Sequence, residues 1–175
     1  MKRQLFVMLL LLVPLVNYAQ TDTAKLNMPL KKGKINYEET VTVSSKSSEI
    51  AARNKAIQWL VKQFPNNKVA LLKKRTGAIS GEGTFKVNVN PSGNYFWLKF
   101  KVDIAVADGA YTLNVYDFYE KPIEKGVSNE YSKIGYRWWD YSQGHPWSAE
   151  DKPLFIGLDK NSRALLASFK KAIDQ

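Results

Sequence analysis

The stretch Ile79–Phe118, ISGEGTFKVNVNPSGNYFWLKFKVDIAVADGAYTLNVYDF, decides the fold. In its first run Ile79, Gly81, Gly83, Phe85, Val87 and Val89 alternate with Ser80, Glu82, Thr84, Lys86 and Asn88, the period of two of a strand with one face in a core. Asn90-Pro91-Ser92-Gly93-Asn94 then supplies turn residues. The second run sets Phe96, Leu98, Phe100, Val102, Ile104 and Val106 against Tyr95, Trp97, Lys99, Lys101 and Asp103. Asp108-Gly109 is a hairpin signal, after which Tyr111, Leu113 and Val115 oppose Thr112, Asn114, Tyr116 and Phe118. Strands joined this tightly pair antiparallel. Gly81 and Gly83 lie inside a strand pattern with no helix behind them to receive a phosphate, so they read as a bend rather than a nucleotide loop.

Upstream, Ile35, Tyr37, Val41 and Val43 alternate with polar residues and predict a strand that opens the domain. Ser47 as cap and Glu49 in the first turn predict a helix whose stripe is Ile50, Ile57, Leu60, Val61 and Phe64, widened by Ala52, Ala56 and Trp59. Pro65-Asn66-Asn67 stops it, and Val69–Leu72 reads as a short strand before a turn at Lys73–Gly77. Downstream, residues 120–158 form an irregular aromatic segment, and Leu165, Leu166, Phe169 and Ile173 mark a closing helix capped at Asp159 or Asn161. The expected fold is α+β: a curved antiparallel sheet in β-α-β-β-β-β-α order with two helices on one face.

Residues 1–19 have the layout of a secretory signal peptide: Lys2 and Arg3, an apolar run Leu5–Val16 broken by Pro14, and Ala19 before Gln20. That run is shorter than the roughly 20 residues a spanning helix needs, and without cysteine no lipid can be attached at a new N-terminus. The expectation is a periplasmic or secreted protein with no stable membrane insertion after cleavage. Residues 20–34 then form a flexible lead-in and 35–175 a single domain.

The helix Ala56-Ile57-Gln58-Trp59-Leu60, the Ile79-Ser80-Gly81-Glu82-Gly83 entry into a strand and the Tyr111–Tyr119 strand resemble a bacterial family, domain of unknown function 4468, described as having a TATA-binding-protein-like (TBP-like) fold. The resemblance covers about residues 35–120. It implies a fold and an exported setting. It implies no activity, cofactor or site residue, and a fold name does not imply DNA binding.

The absence of cysteine removes thiol catalysis and zinc-finger chemistry. One histidine leaves little for a transition metal, no Asp-rich loop suggests calcium, and no cofactor is expected. His145, in Ser142-Gln143-Gly144-His145-Pro146-Trp147 with Asp140 and Asp151 nearby, could form a hydrolytic relay only if tertiary structure assembled one. Glu38, Glu82 and Asp103 share the outer sheet face with Lys86, Lys99 and Lys101, which predicts cross-strand ion pairs.

The formal net charge of +10, or +8 without Lys2 and Arg3, favours anionic partners, and an exported protein meets glycan, lipid or peptide rather than nucleic acid. Tyr95, Trp97, Tyr116 and Phe118 stand on the face opposite the core, where a sheet is ordinarily polar. Either the aromatic segment, with Tyr131, Tyr136, Trp138, Trp139, Tyr141, Trp147 and Phe155, folds back over them, or the face stays open as a cleft. The open alternative gives a non-catalytic binding module in which Trp97, Tyr116, Trp138, Trp139 and Trp147 supply contact area while Lys99 and Arg137 hold an anionic group. The alternatives are a structural or assembly domain that pairs with another exported protein through the same aromatics, and a hydrolase.

Overall fold

A computed structural model describes residues 26–42, 49–65, 79–107, 109–124, 126–127 and 129–174. The expected signal peptide, the helix cap at Ser47 and the short strand Val69–Leu72 lie outside these residues.

The described strands are β1 (Leu30–Lys31), β2 (Lys34–Thr42), β3 (Ile79–Asn88), β4 (Tyr95–Ala107), β5 (Ala110–Ile123) and β6 (Ser132–Lys133). The helices are α1 (Glu49–Gln63), α2 (Gly135–Ser142) and α3 (Asp151–Asp174). The strands form one antiparallel sheet in the order β1-β2-β5-β4-β3, with β6 also on β5. The period-two runs become β3, β4 and β5 with Ile79, Val87, Phe96, Leu98, Phe100, Val102, Ile104, Tyr111, Leu113 and Val115 buried. The helices pack on that inner face. Leu60 of α1 lies over Gly81, Phe64 over Gly83, and Phe169 of α3 meets Trp59 and Tyr111 edge-on. Gly81 and Gly83 therefore provide clearance: a Cβ on Gly83 would stand 2.5 Å from Phe100 Cζ and 2.6 Å from Phe64 Cε1.

Five expectations need correction. The lead-in joins the fold from Leu26 onward, because Lys32 and Gly33, both at positive φ, turn β1 back onto β2, and Met28 is buried with its sulfur 3.3 Å from the Tyr37 hydroxyl. The stripe of α1 is rotated. Ala56, Trp59, Leu60 and Phe64 face the core, whereas Ile50 and Val61 are 74% and 50% exposed.

The described residues hold three helices rather than the expected two, since the aromatic segment is largely regular. β5 runs on to Ile123, α2 occupies its middle, and α3 starts at Asp151 instead of Asp159. Pro153 lies in the first turn of α3, where a missing N–H breaks no helical bond. The segment also packs on the inner side: Trp138 and Tyr141 meet Phe155 of α3 at ring distances of 5.0 Å. No described helix packs on the outer face.

The last correction concerns Phe118. Lys101 faces Tyr116 and Lys99 faces Tyr119, so Asp117 and Phe118 together oppose Phe100, a bulge with Asp117 at φ +56°. Beyond it the alternation of β5 inverts. Phe118 enters the core against Tyr37 and Phe100, Glu120 is buried with it, and Tyr119 and Lys121 turn to the outer face.

Candidate functional site

The inversion places a dense set of amines and rings on the outer face at the end where β4 begins. Across the strands, Lys86 faces Trp97 and Trp97 faces Lys121. In a neighbouring row Lys99 faces Tyr119, and Tyr119 faces Lys133 of β6. The amines lie against rings. Lys86 Nζ is 3.9 Å from the Tyr95 ring centre, and Lys99 Nζ is 4.7 Å from Tyr131 and 5.3 Å from Tyr119. Lys121 reaches Tyr131 at 5.2 Å, Lys133 reaches Tyr119 at 6.0 Å, and Tyr95 meets Trp97 edge-on at 6.1 Å. A ring's negative face attracts a cation without neutralising it.

The expected cross-strand ion pairs are thus largely replaced. Among the described ion pairs, none joins Lys86, Lys99, Lys121 or Lys133 to a carboxylate, while Glu38 takes Lys31 instead. Of Lys86, Lys99, Lys101, Lys121 and Lys133, Lys101 is the one in a described ion pair, 2.6 Å from Asp117, and this hydrogen bond raises its pKa. Asp103 accepts from Ser80 and from the Tyr116 hydroxyl at 2.7 Å. Burial first, and then that bond, pushes the Tyr116 phenol up to about 12. Tyr116 is therefore tied into the sheet, at the polar end of the same face.

The inner side holds a different group. Arg137 of α2 donates from Nη1 to Glu120 at 2.6 Å and from Nε to Asp151 at 3.0 Å, and its guanidinium lies between the rings of Phe96 and Trp147, 5.0 and 5.3 Å away. Glu120 and Asp151 are almost wholly enclosed. Burial raises the Glu120 pKa, with the Arg137 charge acting against that rise. Asp151 also accepts from the Trp147 N–H at 2.7 Å and from Ser148 Oγ at 3.2 Å, so it ties the loop before α3 to the helix start.

The sheet thus divides the expected site residues. Trp97, Lys99 and Tyr116 share the outer face. Arg137, Trp138 and Trp147 lie on the inner side and serve packing and charge balance, because Arg137 is consumed by two carboxylates and the Trp147 indole donates to Asp140 at 2.6 Å. Trp139, 63% exposed, lines a separate cleft at the edge of β5. Tyr119, Lys121 and Lys133 were not foreseen as outer-face residues, since the only local signal was an Asp in the middle of a strand.

Around His145, Ser142 Oγ donates to the Trp139 carbonyl, and Asp140 and Asp151 hold Trp147 and Arg137. Among the described residues no cluster of three or more His, Asp or Glu side chains is arranged to hold a metal, and no helix is long and apolar enough to cross a membrane.

Residues 37–121 match the family model for a domain of unknown function, DUF4468, with TBP-like fold. A solved TBP-like protein from Parabacteroides distasonis is similar to the chain with a TM-score of 0.68 at 18% identity, covering 83% of this chain and 96% of the other. A solved DUF4468 family protein from Bacteroides ovatus gives 0.69 at 10% identity, covering 85% and 91%. No curated protein matches. The resemblance read from the sequence holds, and the likeness of fold extends past residue 121.

Proposed function

We propose that this chain, a DUF4468 protein with TBP-like fold over residues 37–121, is a non-catalytic binding module that holds an acidic glycan across its outer sheet face, outside the cytoplasm. One observation carries the reading: Lys86, Lys99, Lys121 and Lys133, with no described carboxylate partner, stand among Tyr95, Trp97, Tyr119 and Tyr131 on a face that no described helix covers. Four amines outside every described ion pair concentrate positive potential, and that potential draws an anionic chain. The partly exposed rings between them offer flat apolar area to sugar faces at small entropic cost, because each has only two rotatable bonds. The layout of residues 1–19 supports the exported setting.

The test is retention of the purified protein on immobilised polygalacturonate and on a neutral glucan of similar length. Binding to the acidic polymer alone is expected, weakening as salt shortens the screening length from about 30 Å at 0.01 M to about 8 Å at 0.15 M. Combined replacement K86Q/K99Q/K121Q/K133Q is expected to abolish it. Equal retention of the native and quadruple-variant proteins sinks the proposal, as does no retention of the native protein at low salt.

A second reading, an assembly role, draws on the exposure of Tyr136 and Trp139, 75% and 63%. A stable dimer or a protein complex in native mass spectrometry would favour it.

A further inference from the structure

The bulge that inverts β5 also opens its edge. β2 pairs with β5 only as far as Asn36 against Tyr116, and β6 takes up the same edge only at Tyr119. Between them Lys34 and Ile35 turn away to pair with β1, leaving Asp117 and Phe118 as the floor of a gap. α2 roofs it. The resulting cleft has a volume of about 640 Å³, within the range of roughly 300–1,000 Å³ typical of small-molecule sites. Its deep wall is apolar, made of Ile35, Phe118, Ile134 and Trp138, each no more than 7% exposed. Tyr136 and Trp139 stand at the mouth, largely in solvent.

The charge at the rim is one-sided. Lys34 lies on the β2 lip and Lys133 on the β6 lip, and neither has a carboxylate in a described ion pair. The carboxylate lining the cleft, Asp117, is already neutralised by Lys101 at 2.6 Å. We infer that the cleft binds a single-chain amphiphile with an anionic head, of the fatty-acid class: the hydrocarbon chain lies between Phe118 and the rings of α2, and Lys34 and Lys133 close on the head from opposite lips. A purely apolar guest would leave both amines unused. A highly charged one would have to desolvate against the apolar wall without partners. The site stands on this cleft alone, and the glycan reading of the outer face shares only Lys133 with it.

The experiment is titration of the purified protein with cis-parinaric acid, read by its fluorescence and by quenching of tryptophan emission, beside the corresponding long-chain alcohol. Saturable one-to-one binding of the acid is expected, with the alcohol at least about tenfold weaker, since it forfeits the charge-assisted contacts to the amines. W139A and K34Q/K133Q change only exposed residues, so a fold intact by circular dichroism is expected for both, with binding weakened about tenfold or more. K86Q/K121Q, confined to the outer face, is expected to leave binding unchanged. Absence of saturable binding overturns the inference. So does binding that survives W139A and K34Q/K133Q, or that falls equally with K86Q/K121Q. A native dimer dissociated by W139A would also overturn it, showing the cleft to be a self-association face. Failure of the glycan test leaves this outcome untouched, because the two use different probes and only one shared lysine.

Discussion

Replacing Arg137 with methionine isolates the charge at the centre of the inner side. The new side chain keeps much of the stem that packs between Phe96 and Trp147, but it leaves Glu120 and Asp151, whose side chains are 4% and 0% exposed, without their cation. Two charge-assisted hydrogen bonds are lost at about 1.5–3 kcal/mol each, and removing one partner of a buried ion pair costs about 3–5 kcal/mol. The expected deficit at pH 7 is about 3–5 kcal/mol, a large share of the roughly 5–15 kcal/mol by which domains are stable.

Its pH dependence has a definite sign. In the native protein burial already raises the Glu120 pKa above its ordinary 4.5 while Arg137 restrains the rise. Without Arg137 the folded-state pKa climbs further. Over the window above the ordinary value the folded variant then binds more protons than the folded native protein, so the deficit grows as pH rises and shrinks as pH falls toward 5. Urea unfolding of both proteins at pH 5 and 7 measures it. Adding E120Q to R137M is expected to recover part of the loss, since one uncompensated charge disappears. A deficit below about 1 kcal/mol at pH 7, or one equal at both pH values, would refute the view that these carboxylates are desolvated and held by the guanidinium.

Three other outcomes follow from local geometry. G83A places a methyl against Phe100 and Phe64, and a loss of about 1–3 kcal/mol in urea unfolding is expected from overpacking; G157A, whose Cβ would meet Val87 Cγ1 at 2.3 Å, should behave likewise. D117V forces a β-branched residue into the left-handed region that Asp117 occupies at φ +56°, at about 1–2 kcal/mol, whereas D117G should be nearly neutral because the lost Lys101 pair is half exposed. The Tyr116 phenol, raised to about 12, contributes stability that is complete below the ordinary value near 10 and is lost as pH rises through 12; burial raises Tyr37, Tyr111, Tyr131 and Tyr141 as well, so tyrosine Cζ NMR should show several late-titrating signals, of which Y116F removes one.

The strands of the central sheet were legible because their alternation is unbroken over long runs, as in Phe96 through Ile104. α1 was legible from Glu49 in its first turn and the stop at Pro65, but its rotation was not: Ile50 and Val61 fit the periodic stripe equally well, and only the placement of Leu60 over Gly81 selects the other side. The start of α3 was hidden because Pro153 reads as a breaker unless the helix is already known to begin there. α2 defeats periodicity outright, since Tyr136, Trp138, Trp139 and Tyr141 put rings on every side of eight residues. Of the expected site, Trp97, Lys99 and Tyr116 were placed on the correct face by strand parity alone. Arg137, Trp138 and Trp147 could not be, because which side of a sheet a returning segment covers is settled by long-range packing, here Trp138 and Tyr141 on Phe155.

The extra residue at Asp117–Phe118 gives β5 a grammar of reading frame. Before it, odd-numbered side chains address the interior; after it, even-numbered ones do. Deleting one residue there would restore a uniform strand and exchange the two sides of everything downstream, sending Glu120 out among the lysines and driving Tyr119 and Lys121 toward the core. Between Tyr116 and Glu120 the chain can therefore change its letters but not their number. The outer surface and the buried charge cluster are bound to one another by a count of residues.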